Sequence, residues 1–393
     1  MTTTAQAERN SLRVMGLAGF ASMASMRLCD PMLLVLGQEF SVTIGEASRV
    51  VSVFAVVYGV MQLFYGPLGD RFGKLRVISL AVMACAVFSA ITSLTSNLSL
   101  LVVMRGFMGA AAAGIIPLSM AWIGDQVSYE RRQETLAKLM GYTVTGMMAG
   151  LWFGGFAAEH LGWRTAFAVL SVMFALPAVL LWRKLQGMPA QTRPTEHAGF
   201  VAYFANTFLM LRGARVRQVL AVTCVEGALV FGTMAFIPTH LHQQFDMSVV
   251  FAGSAMMLFG VGGLLYSQLA RRWLAWLGGE RGLVKLGAAC IVLGLLTLAW
   301  AHEPVMGMLA CLVAGFGFYM LHNTLQVQAT QMAPAARGTA VTLFACSLFF
   351  GQSTGVLLMA QMVDWDWLPY AFSCAAMGVA VLGFVVNRLV GRH

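Results

Sequence analysis

The chain has 393 residues, of which 59% are apolar and 10% charged, with a formal net charge of +9. A water-soluble domain of this length cannot hide so much apolar surface, which excludes a soluble enzyme or binding module. The basic residues are scattered through short polar segments rather than gathered on one face, so the charge argues for a membrane surface and against nucleic acid.

Apolar blocks of roughly twenty residues, the length a helix needs to cross about 30 Å of hydrocarbon, recur along the chain. They predict an all-α membrane protein with twelve transmembrane helices in two six-helix bundles. The spans fall near 14–37, 47–69, 76–96, 99–123, 136–158, 163–183, 217–240, 247–269, 282–301, 304–327, 338–360 and 368–388. Arg9 and Arg13 precede the first block as they would in a signal peptide, but the apolar stretch runs on through Pro31 to Leu36. Cleavage would also leave an odd number of spans. Lysine and arginine concentrate on the cytoplasmic side of membrane proteins. With twelve spans all 25 basic residues fall on one side except Arg27, Arg49, Arg105 and Arg164, so both termini are expected in the cytoplasm.

Span one carries Arg27 and Asp30, three residues apart and so on one helical face. Charges at mid-bilayer cost about 2.5–3.5 kcal/mol each on insertion scales and persist beside a partner or a watery cavity. Span two carries a sparser polar set, Tyr58, Gln62 and Tyr65, of which Tyr58 and Gln62 are candidates for lining a cavity. The segment after it reads Gly66-Pro67-Leu68-Gly69-Asp70-Arg71-Phe72-Gly73-Lys74-Leu75-Arg76. As a loop it would use Gly69 and Gly73 for a tight helix exit, and Asp70 and Arg71 to pair with another helix end. It resembles the signature G-x-L-a-D-r-x-G-r-k of the major facilitator superfamily, and lies where that signature belongs, between the second and third of twelve spans.

Three further segments match that family. Span four holds Leu101-x3-Arg105-x3-Gly109-Ala110-Ala111-Ala112, with Met108 at the family's usual glutamine. Span five holds Gly150-Leu151-x2-Gly154-Gly155, similar to the antiporter motif G-P-x2-G-G with Leu151 in place of proline. Gly162-Trp163-Arg164-Thr165-Ala166-Phe167 opens span six as in many drug:proton antiporters of the twelve-span subfamily. The corresponding second-half loop, 267–273, is degenerate. The resemblance implies a transporter rather than an enzyme, driven by protons and exporting a small organic or amphipathic compound, with no cofactor. Import of a small metabolite by proton symport on the same fold is the alternative. A monomer in a bacterial inner membrane is expected, with substrate, protons and lipid as its partners. The resemblance also gives Arg105 a part in proton coupling and the segment around Asp70 a conformational part.

Arg105 and Asp30 lie at matching depth, about 10 Å from the same edge at 1.5 Å per residue. They would pair if spans one and four are neighbours. One reading makes Arg27, Asp30 and Arg105 a structural ion-pair network; the other has them line the cavity and exchange a proton or substrate. Asp125 closes span four near the Asp70–Arg71 segment and is read with it as a latch. On span five Gly146, Gly150 and Gly154, with Gly155, form a smooth ridge for close helix packing. Gly351 and Gly355 on span eleven offer the same; their G-x-S-x-G pattern belongs in hydrolases to a strand-to-helix turn, which a span is not.

The longest internal polar interval divides the chain into an N-terminal bundle 1–184, a cytoplasmic linker 185–214 and a C-terminal bundle 215–393. Part of Phe200–Leu211 is apolar enough for a helix on the membrane surface. Glu226 is the lone acid near the middle of span seven, with no evident partner, and is read as a second coupling or substrate-binding group. Span ten places Tyr319, His322, Asn323 and Gln326 on one stripe, which would be costly against lipid and is read as cavity lining. His240 and His242 point in different directions and make no metal site. The seven cysteines show no metal-ligand spacing and read as packing residues.

Overall fold

The structure, a computed structural model, describes residues 2–186 and 200–390. Most of the expected linker, 187–199 with Arg193, and Arg392 near the C-terminus lie outside the described residues. Among those residues eleven helical segments are long and apolar enough to cross a membrane. They are Ser11–Phe40 (span one), Ile44–Phe72 (two), Lys74–Ser93 (three), Leu98–Gln126 (four), Trp163–Gln186 (six), Ala214–Phe245 (seven), Val249–Trp276 (eight), Glu280–Trp300 (nine), Pro304–Gln331 (ten), Arg337–Asp364 (eleven) and Leu368–Val390 (twelve). The helix Tyr129–Phe156 is the fifth span. Its glycines and threonines dilute its hydropathy, and it is sheltered by span one on one side and span eight on another. The fold is two six-helix bundles. An even span count puts both chain ends at one face, called here the terminal face.

Several spans run past the expected limits. Thr43 caps the short helix Ile44–Ala47 with its side chain and begins a capping box with Glu46, which carries span two beyond its apolar block. Ser248 caps span eight by accepting from the Phe251 amide. The expected exit loop at 66–72 is helical: the helix Arg49–Phe72 ends only at Gly73, whose φ of 89° suits glycine. Gly69 serves close packing instead, since a Cβ there would lie 2.5 Å from the Leu118 side chain of span four.

Spans one, four and seven are broken. Span one is helix Thr2–Arg27, a 3₁₀ turn Asp30–Met32 and helix Leu33–Phe40. Pro31 has no N–H to continue the helical ladder, so the last carbonyls of the first segment are left for other donors. Span four divides at Ala113–Gly114 into Leu98–Ala112 and Ile115–Gln126. The Tyr65 ring fills the space a side chain at Gly114 would need, and its hydroxyl donates to the carbonyls of Ala110 at 2.8 Å and Ala111 at 3.1 Å. Span seven widens into a π turn, Gly227–Phe231, directly after Glu226.

Glycine ridges join pairs of spans. Side chains at Gly146, Gly150 and Gly154 would overlap the carbonyls of Phe20, Ala24 and Leu28, so span five rests directly on the backbone of span one. Gly155 turns instead to Val249 of span eight. In the second bundle Gly351 and Gly355 of span eleven lie against the carbonyls of Cys224 and Ala228 of span seven. Spans five and eleven hold corresponding places, six helices apart, and the bundles meet along five against eight and two against eleven. All seven cysteines are free. His240 and His242 each bond a backbone carbonyl, that of Leu298 at 2.7 Å and of Met247 at 2.6 Å.

Candidate functional site

The break in span one sets its two charges side by side in the interior. Arg27 Nη1 donates to Asp30 Oδ2 at 3.0 Å, with both side chains 1% exposed. The guanidinium also reaches the second bundle, with Nη2 3.8 Å from Met234 Sδ and the group 4.8 Å from the centre of the Phe231 ring. Arg27 Nε and Asp30 Oδ1 have no hydrogen-bond partner in this arrangement. Such atoms are costly when buried away from water; the Arg27 N–H can donate, and the Asp30 oxygen accept, in a bond to a water or a ligand.

Arg105 does not take the expected place as partner of Asp30. It donates from Nε to the Val50 carbonyl at 3.1 Å and from Nη1 to the Ser25 carbonyl at 3.0 Å, and it lies 4.1 Å over the Phe54 ring. Ser25 sits in the last turn before the break, where helical carbonyls run out of intrahelical donors. Arg105 is thus a fully buried cation tying span four to spans one and two.

Glu226, expected to stand alone, has a partner. Its Oε2 lies 3.1 Å from His322 Nδ1, while Oε1 is unpartnered. Glu226 is fully buried and the His322 side chain is 16% exposed. His322 stacks on Phe318 at 4.9 Å between centroids, and Phe318 meets Phe231 edge-on at 5.1 Å. An unbroken series of contacts therefore runs from Asp30 through Arg27, Phe231, Phe318 and His322 to Glu226, crossing from one bundle to the other.

The remaining residues on the polar stripe of span ten differ in exposure. Tyr319, His322 and Asn323 are half-buried and Gln326 is exposed, so the stripe opens toward the terminal face. Tyr319 fills the notch left by Gly263 of span eight, and Asn323 bonds Tyr266 of the same span. Across from them Tyr58 is buried, stacks on Phe54 and meets Phe349 of span eleven at 4.7 Å, with Gln62 one turn along. Sequence reasoning missed Gln352 on span eleven, which is buried with Oε1 unpartnered and whose backbone borders Gly227. A glutamine inside the Gly351-Gln352-Ser353-Thr354-Gly355 ridge was the available signal.

At the terminal face the latch residues meet through one not expected among them. Lys74 lies 3.8 Å from Asp70 and is paired closely with Asp125. Arg71 lies over the Phe72 ring rather than against Asp125. Gly66 sits beneath the Tyr203 hydroxyl of the helix Phe200–Met210, whose Phe204 packs 5.1 Å from Phe64. The second bundle has its own polar cluster at this face, with Arg215 bonded to Gln328 and to the Leu389 carbonyl, and Gln328 donating to Glu280 at 2.9 Å.

The sequence profile of the Major Facilitator Superfamily matches residues 15–356. The chain belongs to this superfamily. The "Uncharacterized transporter YgaY" of Escherichia coli is 25% identical over 385 residues, covering 96% of this chain and 93% of that protein. The "Inner membrane transport protein YnfM" of Escherichia coli is 23% identical, covering 96% and 88%. Among solved structures, the nucleoside transporter NupG superposes with a TM-score of 0.76 at 14% identity, covering 98% of this chain and 99% of that one. This facilitator is accordingly a multi-pass membrane transporter of a small molecule, not an enzyme, and the likeness to NupG speaks for its fold alone.

Proposed function

We propose that this facilitator is a proton-driven exporter of a small organic or amphipathic compound, akin to the drug:proton antiporters. It works by alternating access between an N-terminal bundle, 1–184, and a C-terminal bundle, 215–393, joined by a cytoplasmic linker, 185–214. The observation that carries the reading is the pair of buried acids, each held by one basic partner and each with one oxygen unpartnered: Asp30 on Arg27, and Glu226 on His322. A carboxylate against a guanidinium keeps its charge, while one drawn away from its partner in an apolar surround binds a proton. Arg27 touches both bundles, so rocking of one against the other changes that separation. Arg105 holds spans one, two and four in register around the pair, and Tyr58, Gln62, Tyr319, His322, Asn323 and Gln326 line the substrate path. The excess of basic residues there supports a cytoplasmic terminal face, where Gly66, Gly69, Asp70, Arg71, Gly73, Lys74 and Asp125 form the latch. The ridge Gly146, Gly150, Gly154 and Gly155 keeps the first bundle rigid.

The test is transport in vesicles with an imposed pH gradient, using a panel of fluorescent amphipathic compounds. Asp30→Asn should lose at least about tenfold in gradient-driven flux, which is roughly the removal of one charge-assisted contact, yet still bind compound or exchange it without a gradient. Full gradient-driven flux in that variant would make Asp30 structural. Uptake in the direction of proton flow would replace export with symport.

A further inference from the structure

At the face opposite the termini, two contacts of one design cross between the bundles. At the end of span eleven, Asp364 accepts from the Thr43 hydroxyl at 2.8 Å with Oδ2 and from the Gly45 amide at 2.8 Å with Oδ1. Thr43 and Gly45 belong to the first turn of span two, in the other bundle. At the end of span five, Glu159 Oε2 accepts from the Val250 amide at 2.9 Å, in the first turn of span eight and again in the other bundle. Five and eleven correspond, as do two and eight, so each bundle hands a carboxylate to the other in the same way. Gly45 is required by the fit, because a side chain there would overlap the Asp364 carboxylate. Neither carboxylate was singled out in the sequence, and the Glu159 contact lies on the two spans, five and eight, that pack against Pro31.

We propose that Asp364 and Glu159 are paired gate-positioning residues whose release opens this face, and that proton binding from the compartment on that side promotes the release. The proposal rests on the alternating-access reading above. A carboxylate accepts these bonds at close to full charge, and they are stronger than neutral ones; protonation removes the charge and one acceptor position. Contacts of this kind also gain from the positive end of the helix they meet. Glu46, which bonds the Thr43 amide and lies 3.9 Å from Arg49, and Asp366 are the charged groups beside Asp364. Beside Glu159, His160 Nε2 lies 4.0 Å from Oε1, with His242 and Asp246 on the turn that precedes span eight.

The two clasps are on separate helices, and a gate differs from a local cap in that breaking one must loosen the other. Hydrogen–deuterium exchange on the full chain in lipid nanodiscs reads this without substrate or transport. Asp364→Asn should speed exchange, corrected for the intrinsic pH effect, by roughly tenfold or more both at 43–46 and across the interface at 249–252. Glu159→Gln should do the same in reverse, and Asp366→Asn, a neighbouring surface acid, should change neither. In the unaltered protein both segments should exchange faster as pH falls from about 7.5 to 5, and Asp364→Asn should flatten that dependence. Restoration of slow exchange by Asp364→Glu guards against general misfolding. Faster exchange confined to the altered clasp, or no pH response in the unaltered protein, overturns the proposal. Loss of pH-driven flux with linked clasps intact would instead count against proton antiport while leaving the gate standing.

Discussion

Arg105 shows how a buried charge can be held without an ion-pair partner, at the cost of leaving its Nη2 without a hydrogen bond. Three neighbouring groups, the Val50 carbonyl, the Ser25 carbonyl and the Phe54 ring, share the guanidinium. Lysine has one compact charge and no planar fork, so Arg105→Lys cannot reproduce the set. Arg105→Met should lower stability by about 3 kcal/mol, from the hydrogen bonds to a charged group and the carbonyls left behind, seen as a fall in melting temperature in detergent. Asp30→Asn should cost less, because the amide still accepts from Arg27; an equal loss in both would mean Asp30 matters chiefly as a structural partner. The sequence drew attention to Arg27, Asp30, Arg105 and Glu226 because ionisable residues are rare within spans. It could not pair Glu226 with His322, which lies on a different helix with no spacing rule between them. Nor could it place Arg105, because its partners are backbone carbonyls, of Val50 in the first turn of a helix of span two and of Ser25 beside the break at Pro31. Asp364 and Glu159 read as ordinary acids at helix ends until the opposing helix starts are brought against them.

Helices were more legible than their ends. Apolar blocks located every span, but an apolar block stops where a helix leaves the hydrocarbon, and the capped turn at Thr43 and the last turns of span eight, to Trp276, continue beyond it. The segment 66–72 looked like a loop because it carries glycine, proline and charge, yet Pro67 sits inside the helix and the break waits for Gly73. The glycine ridge was readable from its spacing of four, although its partner was not. Gly150→Ala should cost about 1–3 kcal/mol, since a methyl there would overlap the Ala24 backbone. Gly124→Ala, with nothing within 4 Å of the added carbon, should instead stabilise slightly by helix propensity. Thermal melting of the two variants side by side separates packing from propensity; equal effects would remove the ridge from the account. At the latch, Asp70→Asn should slow transport while leaving insertion and compound binding intact, because Lys74 keeps Asp125 but loses the first of its two acids.

At the scale of the whole molecule, the four basic residues that break the charge asymmetry each have a local reason to do so. Arg27 has Asp30, Arg49 lies near Glu46, Arg164 is paired with Glu39, and Arg105 has its carbonyls. The remaining basic residues then argue for cytoplasmic termini. A cysteine placed at Asn97 should react with an impermeant thiol reagent added outside cells, and one at Gln191, beyond the described residues, should react only after permeabilisation. The reverse pattern would invert the molecule. The ridges carry a mechanical meaning as well. Span five, which meets span eight, is seated on span one, the bearer of Asp30; span eleven, which meets span two, is seated on span seven, the bearer of Glu226. If the bundles rock as proposed, each such pair, set backbone against backbone along its ridge, would act as one lever, its long arm at the seam and its short arm at an acid.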